Sequence, residues 1–423
     1  MMEHHLREWM LMRLASHIVR FDMSGIPVVG NTVSGALVGL TPEGAGLCDV
    51  MMEREVAWDE VPVECEELVS HLVSHGFTKE AGAGECSQLA SAYLHVSNTC
   101  NLSCVGCYSA DRNRNRSDDP SLGDLRHAVD VLANLCVARL VISGGEPFLR
   151  NDLPDITRYA RERGMANITI LTNGTHCSDE TLAKLAGSVD AISVSFDGAS
   201  RESPAHIRGG QLFELLVNAV KRIQEAGIHA HMLPTLHARN IQDAPAYVEL
   251  SKRLGCTIGF SLLSGARADL GELMPDDSCL AELANTMVEV ASKGDAVSID
   301  DAFNPVRALS VRTCCGAGKN SVSVASDGTV YPCHMLHSSE FALGDAFTDN
   351  ASTIADNLSR FTLPSVEEIE GCSSCENRYF CGGGCRARAY DEHGCMTRRD
   401  PYCAYYAHAI EQTVEVFVSQ IQG

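Results

Sequence analysis

The chain has 423 residues, enough for two or three domains with sizeable cores. Its hydrophobic share of 45% and charged share of 21% are ordinary for a soluble globular protein. Fifty-five acidic against 33 basic residues give a net charge of −22, which argues against nucleic acid or a membrane surface as partner. Nineteen cysteines are far more than usual. The first twenty residues have scattered charges and no apolar core of a signal peptide, and no run of 18 apolar residues suggests a membrane span. A cytoplasmic, reducing setting is therefore expected, where clustered cysteines read as metal ligands.

Residues 1–85 read as a small α+β domain. Short apolar runs at 18–21, 26–29 and 36–40, broken by Gly, Ser and Asn, predict three strands. Thr41 and Pro42 make a helix start, a hydroxyl cap followed by a residue that needs no donor, so a helix through 47–51 is expected. A second helix over 66–75 carries Leu68, Val69, Leu72 and Val73 on one face and stops at Gly76. Residues 80–91 read as a linker.

From Ala92 strands and helices alternate. Strands are predicted at 93–96, 139–143, 167–171, 191–196, 229–233 and 257–262. Helices are predicted at 123–135, 153–163, 180–186, 213–226 and 244–254. Leu215, Leu216, Ala219, Val220 and Ile223 show the apolar face of one of them. Six such units give an α/β fold, a partial (β/α)6 barrel whose working residues belong where strands end. A helix near 281–291 and a connector over 293–305 follow.

The first strand runs into Cys100, Cys104 and Cys107, in CxxxCxxC spacing. Three thiolates on one tight loop can hold three irons of a 4Fe–4S cube and leave the fourth open. The plain alternatives are a zinc knuckle or free thiols. Gly144, Gly145, Glu146 and Pro147 follow the second strand, where two glycines admit close backbone approach and a glutamate can accept from an ammonium. Thr172-Asn173-Gly174 closes the third strand and Ser195-Phe196-Asp197-Gly198 the fourth.

Together these pieces resemble the radical SAM superfamily. The resemblance implies that S-adenosylmethionine chelates the open iron and that the GGEP loop binds its amino group. It implies polar contacts from Asn173 and Ser195, a fork-like contact from Arg208 to the SAM carboxylate, and Tyr108 near the adenine. The C-terminal third adds Cys315 and Cys333, then Cys372, Cys375, Cys381, Cys385 and Cys403. That array resembles the SPASM domain, which carries two auxiliary 4Fe–4S clusters, three clusters in all. By resemblance one cluster takes Cys372, Cys375, Cys381 and Cys403, and the other Cys315, Cys333 and Cys385, with Cys314 or an open iron as its fourth position. Two structural zinc ions are the alternative.

The expected domains are thus 1–85, 92–292 and 306–423. The first resembles the PqqD-like recognition domain, a winged-helix fold whose edge strand captures the leader of a precursor peptide. The implied activity is a peptide maturase. It cleaves SAM to a 5′-deoxyadenosyl radical and forms a thioether or carbon–carbon crosslink in a ribosomal precursor peptide, fed by a flavodoxin or ferredoxin. An anaerobic sulfatase-maturing enzyme, a haem-pathway enzyme and a non-catalytic iron–sulfur carrier or peptide scaffold are the alternatives. Cys136 and Cys256 are expected in the core, and Cys48, Cys65, Cys86, Cys177, Cys279 and Cys395 are expected to be bystanders. His71 with His75 and His229 with His231 have ligand-like spacing but no third ligand nearby, and no histidine is assigned to catalysis. Asp197 and Asp327 are acids that could serve as a base.

Overall fold

A computed structural model of the chain describes residues 11–79, 89–109, 114–210, 212–292, 297–299 and 309–422. Its centre is a nine-stranded sheet. Seven strands are parallel neighbours in chain order: β6 (Ser91–His95), β7 (Arg139–Ser143), β8 (Asn167–Thr172), β9 (Ala191–Phe196), β10 (His229–Leu236), β11 (Thr257–Leu262) and β12 (Val297–Ile299). Between them run the helices Leu122–Asn134, Leu153–Glu162, Asp179–Leu185, Phe213–Glu225, Ala244–Leu254 and Asp277–Ser292. All six predicted strands are present, most within two residues of expectation.

Two strands come from outside the predicted barrel. β13 (Ser321–Val324) lies parallel on the free edge of β6, and β14 (Val330–Tyr331) follows antiparallel. β12 falls inside the stretch expected as a connector. The C-terminal third is thus continuous with the barrel sheet rather than appended to it, and the strand edge beside the Cys100 loop is paired. The remainder of the expected connector, like most of the expected 80–91 linker and Cys86, lies outside the described residues.

The alternation of side chains along these strands divides the sheet into two faces. Ile168, Ile170, Ile192, Val194, Met232 and Phe260 are fully buried against the helices. Leu171, Ser195, Leu233, Thr235 and Ser261 are half-buried and line an open cavity on the other face.

Residues 11–79 form a short antiparallel pair, β1 (Leu11–Met12) with β5 (Val56–Ala57), and a three-stranded antiparallel sheet of β2 (Ile18–Met23), β3 (Ile26–Asn31) and β4 (Leu37–Gly39), with helices Pro42–Glu53 and Glu66–Ser74. Thr41 caps the first helix, its hydroxyl accepting from the Gly44 amide at 3.1 Å. Ile18, Val29, Met51, Val69, Leu72 and Phe77 make this unit's own core. The opposite face of the sheet is not free. Phe21 sits 5.1 Å from the Tyr379 ring and 5.3 Å from Phe380, and the Val311 amide donates to Gly35 O at 2.9 Å. The N-terminal unit is therefore seated on the cysteine-rich C-terminal region. Among the described residues no helix is long and apolar enough to cross a membrane.

Candidate functional site

The parallel sheet brings the ends of β6, β7, β8 and β9 to one side, so four sequence-distant loops share one cavity. Cys100, Cys104 and Cys107 all line it, together with Tyr108, Gly144, Gly145, Asn173, Ser195 and Arg208. Nine of the eleven residues assigned to the barrel cluster and SAM are there; no group outside these loops was needed to find them.

The Cys100 loop is held by a set of bonds that sequence reasoning missed. The Asp119 carboxylate accepts from the Asn98 amide at 2.8 Å, from Ser97 Oγ at 2.9 Å and from the Thr99 amide at 3.2 Å. Asn115 Oδ1 takes the Cys100 amide at 2.7 Å. The strand exit is thereby fixed immediately before the first thiol. Only a pair of acids followed by Pro120 marks this in the sequence.

The GGEP loop is packed directly on the cysteine loop. A Cβ on Gly144 would lie 2.4 Å from Ser97 O, and one on Gly145 would lie 2.0 Å from Thr99 O. Gly144 also has φ 132°, which side chains rarely adopt. Glu146 is engaged within the fold. It is fully buried, and its carboxylate accepts from Thr172 Oγ1 at 2.7 Å, the Asn173 amide at 2.7 Å and the Phe148 amide at 3.0 Å. Neither Glu146 nor Pro147 lines the cavity. The carboxylate straps the β7 loop to the β8 loop, and GGEP faces the cavity through Gly144 and Gly145. Burial pushes the Glu146 carboxyl above its usual range, against the three hydrogen bonds.

The β9 loop shows the same economy. Asp197 accepts from the Ile207 and Arg208 amides, each at 2.8 Å, and Arg208 Nη1 donates to Phe196 O at 2.9 Å. Asp197 is thus a loop organiser and not a free base. Asp327 is exposed and caps its own turn through the Thr329 amide at 3.0 Å. Beside Tyr108 stand residues no motif announced. His334 stacks on Tyr93 with centroids 4.1 Å apart, meets the Tyr108 ring edge-on at 5.3 Å, and lines the cavity with Met335. His334 directly follows Cys333, which was the available signal. Tyr108 itself donates to or accepts from Ser143 Oγ at 2.5 Å.

The seven C-terminal cysteines fall into two groups. Cys315, Cys333 and Cys385 surround a small apolar cluster of Ala317, Leu336 and Ala387. Cys403 lies in electrostatic reach of Cys372 and Cys375, and Cys381 in reach of Cys403 and Cys372. Cys314 accepts from Lys319 Nζ at 3.4 Å. Burial pushes the Cys385 and Cys403 thiols up to about 11, and Cys100, Cys104, Cys315, Cys372 and Cys381 also up. Such thiols ionise readily only when a metal supplies the countercharge, so the donor sets fit iron–sulfur clusters. Among the described residues no three His, Cys, Asp or Glu side chains converge as a single-ion site requires. A cube spreads its ligands over separate irons.

The remaining expectations divide. Cys48, Cys65 and Cys177 are buried bystanders. Cys136 is exposed, not core: it ends a helix at φ 60°, where the chain turns outward. Cys256 is half-buried. His71 and His75 stack on each other, and His229 and His231 both bond Thr257 Oγ1 at 2.8 Å, so both pairs have structural partners.

Residues 94–250 match the Radical SAM superfamily, and residues 314–376 match SPASM, an iron–sulfur cluster-binding domain. The protein is a radical SAM enzyme of the SPASM class. Its cofactors are 4Fe–4S clusters and S-adenosylmethionine. The AdoMet-dependent heme synthase of Methanosarcina barkeri is 29% identical over 334 residues, 72% of this chain and 93% of that protein. The mycofactocin maturase MftC of Mycolicibacterium smegmatis is 29% identical over 321 residues, 72% of this chain and 80% of that protein. In fold, this radical SAM enzyme is similar to Streptococcus suis SuiB bound to precursor peptide SuiA. The TM-score is 0.60 at 14% identity, covering 93% of this chain and 100% of that one.

Proposed function

We propose that this enzyme is a maturase of a ribosomally made precursor peptide, forming a thioether or carbon–carbon crosslink in it. The observation that carries the reading is the cavity's lining. It takes in Cys100, Cys104 and Cys107 from the barrel loop together with His334 and Met335, beside Cys333, from the C-terminal region. A substrate in it would touch both the barrel loop and the C-terminal cysteine region.

In this reading Cys100, Cys104 and Cys107 hold the SAM-binding cluster. Cys372, Cys375, Cys381 and Cys403 hold one auxiliary cluster, and Cys315, Cys333 and Cys385 the other. Held at Cys100, Cys104 and Cys107 and reduced, such a cluster would supply one-electron cleavage of the adenosyl C–S bond of SAM and, through it, hydrogen abstraction from an unactivated substrate carbon. The chain's own residues orient and enclose. Asp119 and Asn115 fix the cysteine loop, and Glu146 fixes the glycine loop that receives the SAM amino group. Asp197 sets the Arg208 segment, Asn173 and Ser195 supply polar contacts, and the packed rings of Tyr108, Tyr93 and His334 keep water from the cavity. The three-cysteine auxiliary site favours a substrate thiolate as fourth ligand, hence a thioether. Residues 11–79 bind the leader along the short edge strand β4, as a PqqD-like unit would. Their fold likeness to SuiB and their seat on the C-terminal region support that role. A flavodoxin or ferredoxin in the cytoplasm supplies the electron.

Identity to a heme synthase favours a second reading, with a tetrapyrrole as substrate. The test is an anaerobic assay with SAM and dithionite on the peptide encoded beside the gene, with and without its leader. Formation of 5′-deoxyadenosine with a peptide two hydrogens lighter, dependent on the leader, is expected. A peptide left unchanged or heavier by a methyl group, with turnover of a haem precursor instead, overturns the proposal.

A further inference from the structure

Arg386 is an anomaly in the electrostatics of the C-terminal region. It follows Cys385 and is completely buried. Its Nη1 donates to Met396 O at 2.6 Å and Arg398 O at 2.8 Å, and its Nη2 donates to Gly383 O. Those are three neutral acceptors. Its Nε is buried and has no partner. The neighbouring carboxylate, Asp400, is taken by Arg388, at 3.1 Å with both side chains buried, and by the Cys385 and Tyr402 amides. Among the described residues no carboxylate pairs with Arg386.

A buried guanidinium with no countercharge is strongly destabilising, because its desolvation is repaid only by an opposite charge. The unmade bond of a buried N–H adds to that penalty. A fold keeps such a group only where something anionic answers it. Here the surroundings name that partner. Nε lies 3.8 Å from where a Gly383 Cβ would stand, on the glycine run joining Cys381 of one cysteine group to Cys385 of the other. Cys381 and Cys385 belong to different groups, so one cation stands between both. A thiolate-held iron–sulfur cluster is a net anion whose potential follows nearby charge and N–H donors to sulfur.

We propose that Arg386 is a positioning residue shared by the two auxiliary clusters: it is their buried counter-cation, its Nε–H faces cluster sulfur, and its charge raises their reduction potentials. This rests on the cysteine assignment proposed above.

The test uses the full-length chain with Cys100, Cys104 and Cys107 changed to alanine, reconstituted anaerobically, so that only the auxiliary clusters report. Iron content and a redox titration followed by electron paramagnetic resonance are compared for this parent, Arg386→Gln and Arg386→Lys. Arg386→Gln is expected to keep its iron and to lower the reduced-to-oxidised ratio at fixed potential at least tenfold, about 59 mV for a one-electron couple. Arg386→Lys, which keeps the charge, is expected to restore most of it. Unchanged potentials in an iron-replete Arg386→Gln overturn the proposal. If Arg386→Gln loses its iron, Arg386→Lys decides. Retained clusters support the charge, whereas lost clusters show that only the carbonyl clamp matters and overturn it. A parent chain without iron overturns the cysteine assignment and this proposal with it.

Discussion

Replacing Glu146 by glutamine separates two roles for the GGEP loop. If the carboxylate straps β7 to β8, the damage is done before any ligand binds. Three buried donors converge on it, from Thr172, Asn173 and Phe148, at 2.7–3.0 Å. Bonds to a charged acceptor contribute about 1.5–3 kcal/mol each, and neutral ones about 1 kcal/mol. Glutamine best keeps its oxygen toward Thr172 and Phe148, which sets its NH2 against the Asn173 amide and leaves that donor unmet, about 1–3 kcal/mol. Relief from burying a charge offsets part of the loss, as the raised carboxyl pKa indicates. The net local cost is about 2 kcal/mol, roughly a 30-fold rise in loop opening. Hydrogen exchange without SAM should therefore quicken by that order at the amides of 144–146, Phe148 and 172–174, and SAM affinity should weaken with it. Thr172→Val should reproduce part of the effect. Unchanged exchange without SAM, combined with a tenfold loss of SAM affinity, would refute the strap and put the carboxylate on the ligand.

Other outcomes follow from the same geometry. Asp119→Ala removes the acceptor of the Ser97, Asn98 and Thr99 groups, and should slow 5′-deoxyadenosine formation at least tenfold while iron at the auxiliary sites stays constant. Phe21→Ala empties a buried ring position against Tyr379 and Phe380, about 3–5 kcal/mol. Limited proteolysis should then release the N-terminal unit faster. His237 is buried with Nε2 unpartnered, and burial, then His206, lower its pKa to about 4. The fold holds it neutral, so its contribution is whole above about pH 6.5 and is lost as pH falls toward 4, at up to about 1.4 kcal/mol per pH unit. Urea titrations across that range should show a flatter pH dependence in His237→Gln.

Much of this was legible because local periodicity carries it. The predicted strands at 139–143, 191–196 and 257–262 coincide with β7, β9 and β11. Cys100, Gly144, Asn173 and Ser195 could be placed together because successive parallel strands end on one side. What escaped reading depends on contacts distant in sequence. β13 pairs with β6 across some 230 residues and is four residues long, too short for its own pattern. The internal bonds of Glu146 and Asp197 escaped reading because a motif names a residue without saying whether its side chain or its backbone faces a ligand. Phe21 looked like one more strand residue, since nothing local marks its packing on Tyr379. Cys136 looked apolar by its neighbours, yet it sits on the left-handed turn after a helix and faces outward.

The central claim is best tested on the thiol loop itself, by comparing anaerobically reconstituted wild type with Cys104→Ala for metal content and dithionite-dependent 5′-deoxyadenosine. The substituted chain should lose about four irons and all adenosyl cleavage while its auxiliary iron persists. Cleavage that survives the substitution, or zinc in place of iron in the wild type, would contradict the account.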